Sequence, residues 1–201
     1  MANSRQKLEC LLEELINCPV RQTEISQKIN DSFSQEKAVL VLDMSGFCRT
    51  ARNHSIVLVL SMIYQMQKLL KPCIENHSGQ LIKAEADNLF CIFDTVADAL
   101  QSCRNIRECL DNNCLSLPED CRLDVSVGIG FGHILNIENK DIFGDEVNLA
   151  SKLGEDIAMA GEVLLTEKAF AKLAESELLF QKKLIGISGI SINYYHFNFT
   201  N

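Results

Sequence analysis

The run Lys37-Ala-Val-Leu-Val-Leu-Asp43 limits what this chain can fold into more than any other stretch. An unbroken apolar segment of strand length, with no polar alternation, reads as a strand covered on both faces. It ends in a carboxylate, and the Ser45-Gly46 pair after it turns the chain. Asp43 therefore falls at the mouth of a sheet, where α/β folds place their ligands. Taken alone, it reads better as a cap on its own turn, accepting backbone N–H bonds.

The rest of the chain falls into place around that strand. Residues 4–17 repeat leucine and isoleucine at helical spacing (Leu8, Leu11, Leu12, Leu15, Ile16), and Pro19 closes the run. A second, weaker helical stretch covers 24–33, so 1–34 form a helical leader to a domain at 35–201. The leader's leucine stripe is either a dimer seam or packing against its own domain. Ser55 to Glu75 predicts a long helix with 56, 59, 60, 63, 66, 67 and 70 on one face. Gln80–Lys83 and Asn88–Phe93 predict a hairpin, and Thr95–Leu110 a helix with Thr95 and Asp98 as start signals. Leu123–Phe131 and His133–Ile137 read as two strands turning at Gly132. A strand at 162–165, a helix at 167–174 and a terminal strand region at 184–199 complete the order. The β-α-β-β-α-β succession predicts an α+β, ferredoxin-like sheet with helices on one face.

Composition removes several function classes. A net charge of −8 over 201 residues argues against a nucleic-acid footprint. No apolar run approaches a membrane span, and the start lacks the apolar core of a secretory signal. Nine cysteines form no CxxC pair, so they read as mostly buried, reduced thiols of a cytoplasmic protein.

Asp87, at the expected hairpin tip, gives Asp43 a partner. In a ferredoxin-like sheet the first strand and the central hairpin are neighbours, so the two carboxylates can converge at one end. Paired carboxylates together with phosphate oxygens suit Mg2+ or Mn2+, which prefer hard oxygen ligands.

Three segments carry a family resemblance: VLDMSGFCRT (41–50), GQLIKAEADNLFCIF (79–93) and DIFGDEVNLASKL (141–153). In this order they resemble the catalytic domain of the class III nucleotidyl cyclases, from about Lys37 to Phe199. The resemblance implies that Asp43 and Asp87 hold two Mg2+ or Mn2+ ions per site. It implies that Gly46 and Phe47 lie in the loop covering the triphosphate. Lys83 and Asp141 would read the base, and a lysine donor with an aspartate acceptor suits adenine, hence ATP. Asn148 would orient the ribose, and Lys152 stands where the family usually places an arginine. Lysine keeps the charge and loses the bidentate fork. Ser188 takes the place of a usual lysine, and Ala86 that of a usual glycine. The implied enzyme is an adenylyl cyclase working as a head-to-tail homodimer with composite sites. The departures at Lys152 and Ser188 favour, as an alternative, a catalytically weak nucleotide-binding domain. Because substrate choice rests on Lys83 and Asp141 alone, a cyclase acting on another triphosphate is a further one. The leader is a possible landing place for a regulatory partner.

Overall fold

The computed structural model describes residues 3–45, 54–112, 124–173, 180–187 and 190–199. Its elements are α1 (Arg5–Asn17), α2 (Gln22–Phe33), β1 (Ser34–Ser45), α3 (Ile56–Glu75), β2 (Gln80–Glu85), β3 (Asn88–Phe93) and α4 (Val96–Asn112). These are followed by β4 (Asp124–Ile137), β5 (Asp141–Phe143), α5 (Asp145–Ser151), a π-helical turn (Lys152–Ile157), β6 (Val163–Thr166), α6 (Glu167–Phe170), β7 (Phe180–Ile187) and β8 (Ile190–Phe197). The expected fold class holds. The sheet runs β2-β3-β1-β4-β6-β8-β7, with β5 on the far end of β4, and its first four strands are the βαββαβ core.

β1 is the strand predicted from the apolar run, lengthened at both ends. It pairs antiparallel with β3 from Ala38↔Phe93 to Asp43↔Asn88, and with β4 from Ser34↔Leu135 to Ser45↔Asp124. The period of two sorts its side chains. Ala38, Leu40, Leu42 and Met44 enter the main core with α3 and α4, whereas Val39 and Val41 join Phe90, Ile92, Ile134, Val147 and Ala150 on the other face. Each buried valine, leucine, isoleucine or methionine among them contributes about 1.5–3 kcal/mol relative to exposure, so the strand is fixed from both sides.

α3 starts at Ser55, whose hydroxyl accepts the Leu58 N–H at 3.3 Å. Its buried residues are Val59, Met62, Met66, Leu70, Cys73 and Ile74. Ile56 and Leu60, expected on the inner face, are instead exposed together with Val57 and Tyr64. The buried face shares Val59, Met66 and Leu70 with the expected stripe but is turned away from Ile56 and Leu60, a rotation that periodicity alone does not reveal.

The strand pair expected on either side of Gly132 is one strand. β4 runs without interruption from Asp124 to Ile137, and Gly132 pairs with Lys37 in the middle of its ladder. The glycine serves proximity. A Cβ on Gly132 would meet Glu146 Cγ at 3.0 Å, and one on Gly130 the Glu146 carbonyl oxygen at 2.5 Å. On Gly128 it would lie 2.0 Å from the Ala150 carbonyl oxygen and 2.7 Å from the Gly154 nitrogen. Alternate residues of β4 have no side chain, and α5 with its π turn lies on that bare stripe, opposite α3 and α4.

The leader packs on its own domain. Leu8, Ile25, Ile29 and Phe33 are buried against Ile137, with Leu11, Leu15 and Leu135 packed beside them. Leu12 and Ile16, from the same stripe, remain exposed.

Gly128→Ala is expected to lower stability by about 3 kcal/mol, because the obstructing atoms are backbone and cannot turn aside. Urea unfolding checks this through a lower midpoint at an unchanged slope. Gly186→Ala, which meets nothing within 4 Å, is the control expected to stay within about 0.5 kcal/mol of the parent.

Candidate functional site

β1, β3 and β4 bring Asn88, Asp43 and Ser126 into one cross-strand row, so their side chains share the face that carries α5. The hairpin between β2 and β3 closes through Ala86 and Asp87, with Glu85 paired to Asn88. The Met44 N–H donates to the Asp87 carbonyl at 3.2 Å, which ties this turn to β1. Ala86 takes φ +51°, a conformation that favours glycine. Alanine in place of the family's usual glycine is therefore a strained choice, more than the small change its size suggests.

Asp43 and Asp87 are brought together. The Asp43 carboxyl is half-buried and its pKa is pushed up to about 6, first by burial, then by the Asp87 carboxylate and then by that of Glu155. Bonds with Ser126 and the Met44 backbone pull the other way without prevailing. Glu155 comes from the π turn and was not anticipated, since no spacing rule brings residue 155 to residue 43. Ser126 had a faint signal, as the one polar residue in the stretch VSVGIG that follows Asp124.

These groups suit a divalent cation. The donors are carboxylate oxygens crowded by like charge, which a cation would relieve. Asn88 Oδ1, next to Asp87 in sequence and opposite Asp43 in register, is buried without a hydrogen-bond partner among the described residues. Among the described residues no three His, Cys, Asp or Glu side chains form a closed cage. Carboxylate pairs that share a cation with phosphate oxygens and water need none.

Lys83 and Asp141 also meet. Lys83 Nζ lies 3.1 Å from Asp141 Oδ1 and 3.1 Å from Glu85 Oε1, and sits over the Phe90 ring at 4.7 Å. Burial pulls the Lys83 pKa down, but the bonds to Glu85 and Asp141 outweigh it and the ammonium is held charged. Burial likewise works against the Asp141 carboxylate, and Lys83 and Arg5 overcome it, so its pKa is lowered. Because Lys83 is paired with Phe90, it projects from the same face as Asp43.

Asn148 is exposed on α5, and its N–H donates to the Gly144 carbonyl at 3.1 Å. Gly144, at φ +155°, makes the tight entry to that helix, and a Cβ there would meet the His133 carbonyl oxygen at 3.1 Å. Lys152, four residues on, pairs with Asp156 within the π turn. Neither Asn148 nor Lys152 is bonded to the Asp43–Asp87 pair or the Lys83–Asp141 pair. Gly46, Phe47 and Ser188 lie outside the described residues. Of the lysines near Ser188, Lys182 pairs with Glu167 at 3.5 Å.

Residues 30–193 match the family model described as the adenylate and guanylate cyclase catalytic domain. Among curated proteins, the chain is 25% identical over 130 residues to a putative adenylate cyclase 3 of Rhizobium meliloti (strain 1021), covering 65% of this chain and 22% of that one. It is 26% identical over 133 residues to the serine/threonine-protein kinase pkn2 of Myxococcus xanthus, covering 66% and 16%. The chain thus spans about a fifth of the length of the curated relatives it matches. Among solved structures, an adenylate/guanylate cyclase/hydrolase from Silicibacter pomeroyi superposes with a TM-score of 0.66 at 25% identity, covering 82% of this chain and 97% of that one. The adenylyl cyclase CyaB from P. aeruginosa gives 0.61 at 18% identity, covering 84% and 97%. A guanylyl cyclase domain from the fungus Blastocladiella emersonii gives 0.68 at 13%, covering 82% and 97%. The last two likenesses concern the fold alone.

The raised Asp43 pKa carries a stability consequence. Between about pH 4 and pH 6 the folded protein binds more protons than the unfolded chain, so metal-free stability falls as pH rises through that window. Above it the cost is fully present. Asp43→Asn is therefore expected to melt at a higher temperature than the parent at pH 7.5 in chelator, with the gap closing at pH 4. Thermal unfolding at the two pH values is the check.

Proposed function

The chain belongs to the adenylate and guanylate cyclase catalytic domain family, and from that premise we propose that it is an adenylyl cyclase. It takes ATP to 3′,5′-cyclic AMP and pyrophosphate in the cytoplasm, at composite sites between two copies of the chain. The observation that carries the choice of ATP is the Lys83–Asp141 pair, joined at 3.1 Å on the sheet face that also bears Asp43.

In this reading Asp43 and Asp87 of one protomer hold two Mg2+ or Mn2+ ions. Bound there, the ions supply a lowered pKa for the ribose 3′-hydroxyl and positive charge for the departing pyrophosphate. The partner contributes the other half of the site. Its Lys83 donates to a ring nitrogen of adenine while Asp141 accepts from the exocyclic amino group. Asn148 orients the ribose, so that the 3′-oxygen stands in line with the α-phosphorus. Lys152 brings positive charge to the reacting phosphate, for which it has to leave Asp156. Gly46 and Phe47, which lie outside the described residues, are assigned to triphosphate binding on the family resemblance alone.

The purified protein is expected to convert ATP, with Mg2+ or Mn2+, to a product with the mass of cyclic AMP. Asp43→Ala and Asp87→Ala should each reduce that rate to background in protein that remains folded. An unchanged rate in either variant would refute the metal-site assignment. GTP, CTP and UTP assayed in parallel read the base preference.

One observation supports a second reading, a weakly active nucleotide-binding domain. Lys152 lacks the arginine fork and is engaged by Asp156. Lys152→Arg separates the two readings. A gain of about tenfold or more in turnover would show that this position limits the chemistry, as expected if the missing fork costs about 1.4 kcal/mol or more of transition-state stabilisation. No gain, with ATP bound and no product formed, favours the second reading.

A further inference from the structure

The first residue of α1 reaches the base-reading pair. Arg5 Nη2 lies 3.0 Å from Asp141 Oδ2, across 136 residues of sequence. Its helix is seated by Leu8 against Ile137, capped by Ser4 Oγ accepting from the Lys7 N–H at 3.3 Å, and steadied by Asn3 Nδ2 donating to the Asn136 carbonyl at 3.4 Å. Arg5 is thus presented by a packed element, although its own side chain is about half exposed.

A count of donors and acceptors shows what this contact does. Asp141 Oδ1 already accepts from Lys83 Nζ at 3.1 Å and from the Ile142 N–H at 3.0 Å. Among the described residues Oδ2 holds only Arg5, so of about four acceptor positions on the carboxylate one remains, and it is on Oδ2. Lys83 has three N–H donors, of which Glu85 and Asp141 occupy two. One donor on Lys83 and one acceptor on Asp141 are left. Adenine's edge offers the matching pair, a ring-nitrogen acceptor and an amino donor. Guanine's edge also offers one of each, in the opposite order. Discrimination therefore rests on which group stands where.

We propose that Arg5 is a positioning residue for base recognition: it holds Asp141 Oδ2 in place so that the Lys83–Asp141 pair keeps the order that suits adenine. The inference rests on the reading of Lys83 and Asp141 as the base site. Without Arg5 the carboxylate can turn both oxygens to Lys83, which removes the acceptor for the adenine amino group.

The test uses the full chain and two nucleotides that cannot cyclise, 3′-deoxy-ATP and 3′-deoxy-GTP, with Mn2+ in a titration calorimeter. Arg5→Ala is expected to weaken 3′-deoxy-ATP about threefold, the scale of a half-exposed ion pair, without weakening 3′-deoxy-GTP. Arg5→Lys should restore most of the loss. A role confined to seating the helix would lower the melting temperature and weaken both nucleotides alike, and that result overturns the proposal. Asp141→Asn separates the two layers. If it changes the preference between the nucleotides and Arg5→Ala does not, the positioning role is wrong. If Asp141→Asn also leaves the preference unchanged, the base-site reading fails and takes the inference with it.

Discussion

Everything in this domain is referred to β1. All twelve of its residues pair with β4 on one side and six, Ala38 to Asp43, with β3 on the other, and the apolar part of the strand is sealed on both faces. A strand held in this way cannot slip in register, because a one-residue shift would exchange the faces of Leu40, Leu42 and Met44 with those of Val39, Val41 and Asp43. The same constraint that makes the strand a core element fixes where its carboxylate emerges. Asp43 stands where the apolar run stops, between Asn88 and Ser126 and on the face away from the two long helices. The position of the candidate site follows from the packing of residues that take no part in it.

Two acidic residues on that face show how differently the fold treats buried charge. Glu146, 3% exposed, is fully provided for: its carboxylate accepts from the Phe131 N–H at 3.2 Å and from Thr166 Oγ1 at 2.6 Å, and Lys168 Nζ lies at 3.3 Å. It joins α5 to β4 and β6 and completes its bonding within the protein. Asp43, less buried, is left among like charges. A protein selected only for stability would not leave two carboxylates and an orphaned amide oxygen at the end of its central strand. That contrast sets Glu146 apart as a structural acid and is what supports the proposed ligand-binding role of Asp43.

Much of this was legible beforehand, and the failures have identifiable causes. The apolar run with its terminal aspartate marked β1, and the helix expected from Ser55 to Glu75 is α3, with Ser55 as its cap. The hairpin was placed correctly because apolar strands flanked its turn. Gly132 misled because a glycine reads alike whether it permits a turn or a close approach, and only the helix lying over it decides which. Ile56 and Leu60 were assigned inward because periodicity measures the width of a stripe and not where the sheet meets it. Glu155 and Arg5 were beyond reach. One reaches Asp43 through a π turn that no simple pattern announces, and the other meets Asp141 only after the leader has folded back. Gly46, Phe47 and Ser188 lie outside the described residues, so that part of the expected site stands as the sequence left it.

The bare stripe of β4 has a mechanical meaning. Where Gly128 faces Ala150 and Gly154, strand and helix touch backbone to backbone, and such a contact has no clearance. Side chains that interlock can change rotamer and absorb a small displacement, but main chains in contact cannot. The segment bearing Asn148, Lys152 and Glu155 must then travel with the sheet as one solid piece. Any opening or closing of this domain is left to a part attached through side chains, the leader, which is held by Leu8, Ile25, Ile29 and Phe33 and by the Arg5–Asp141 ion pair.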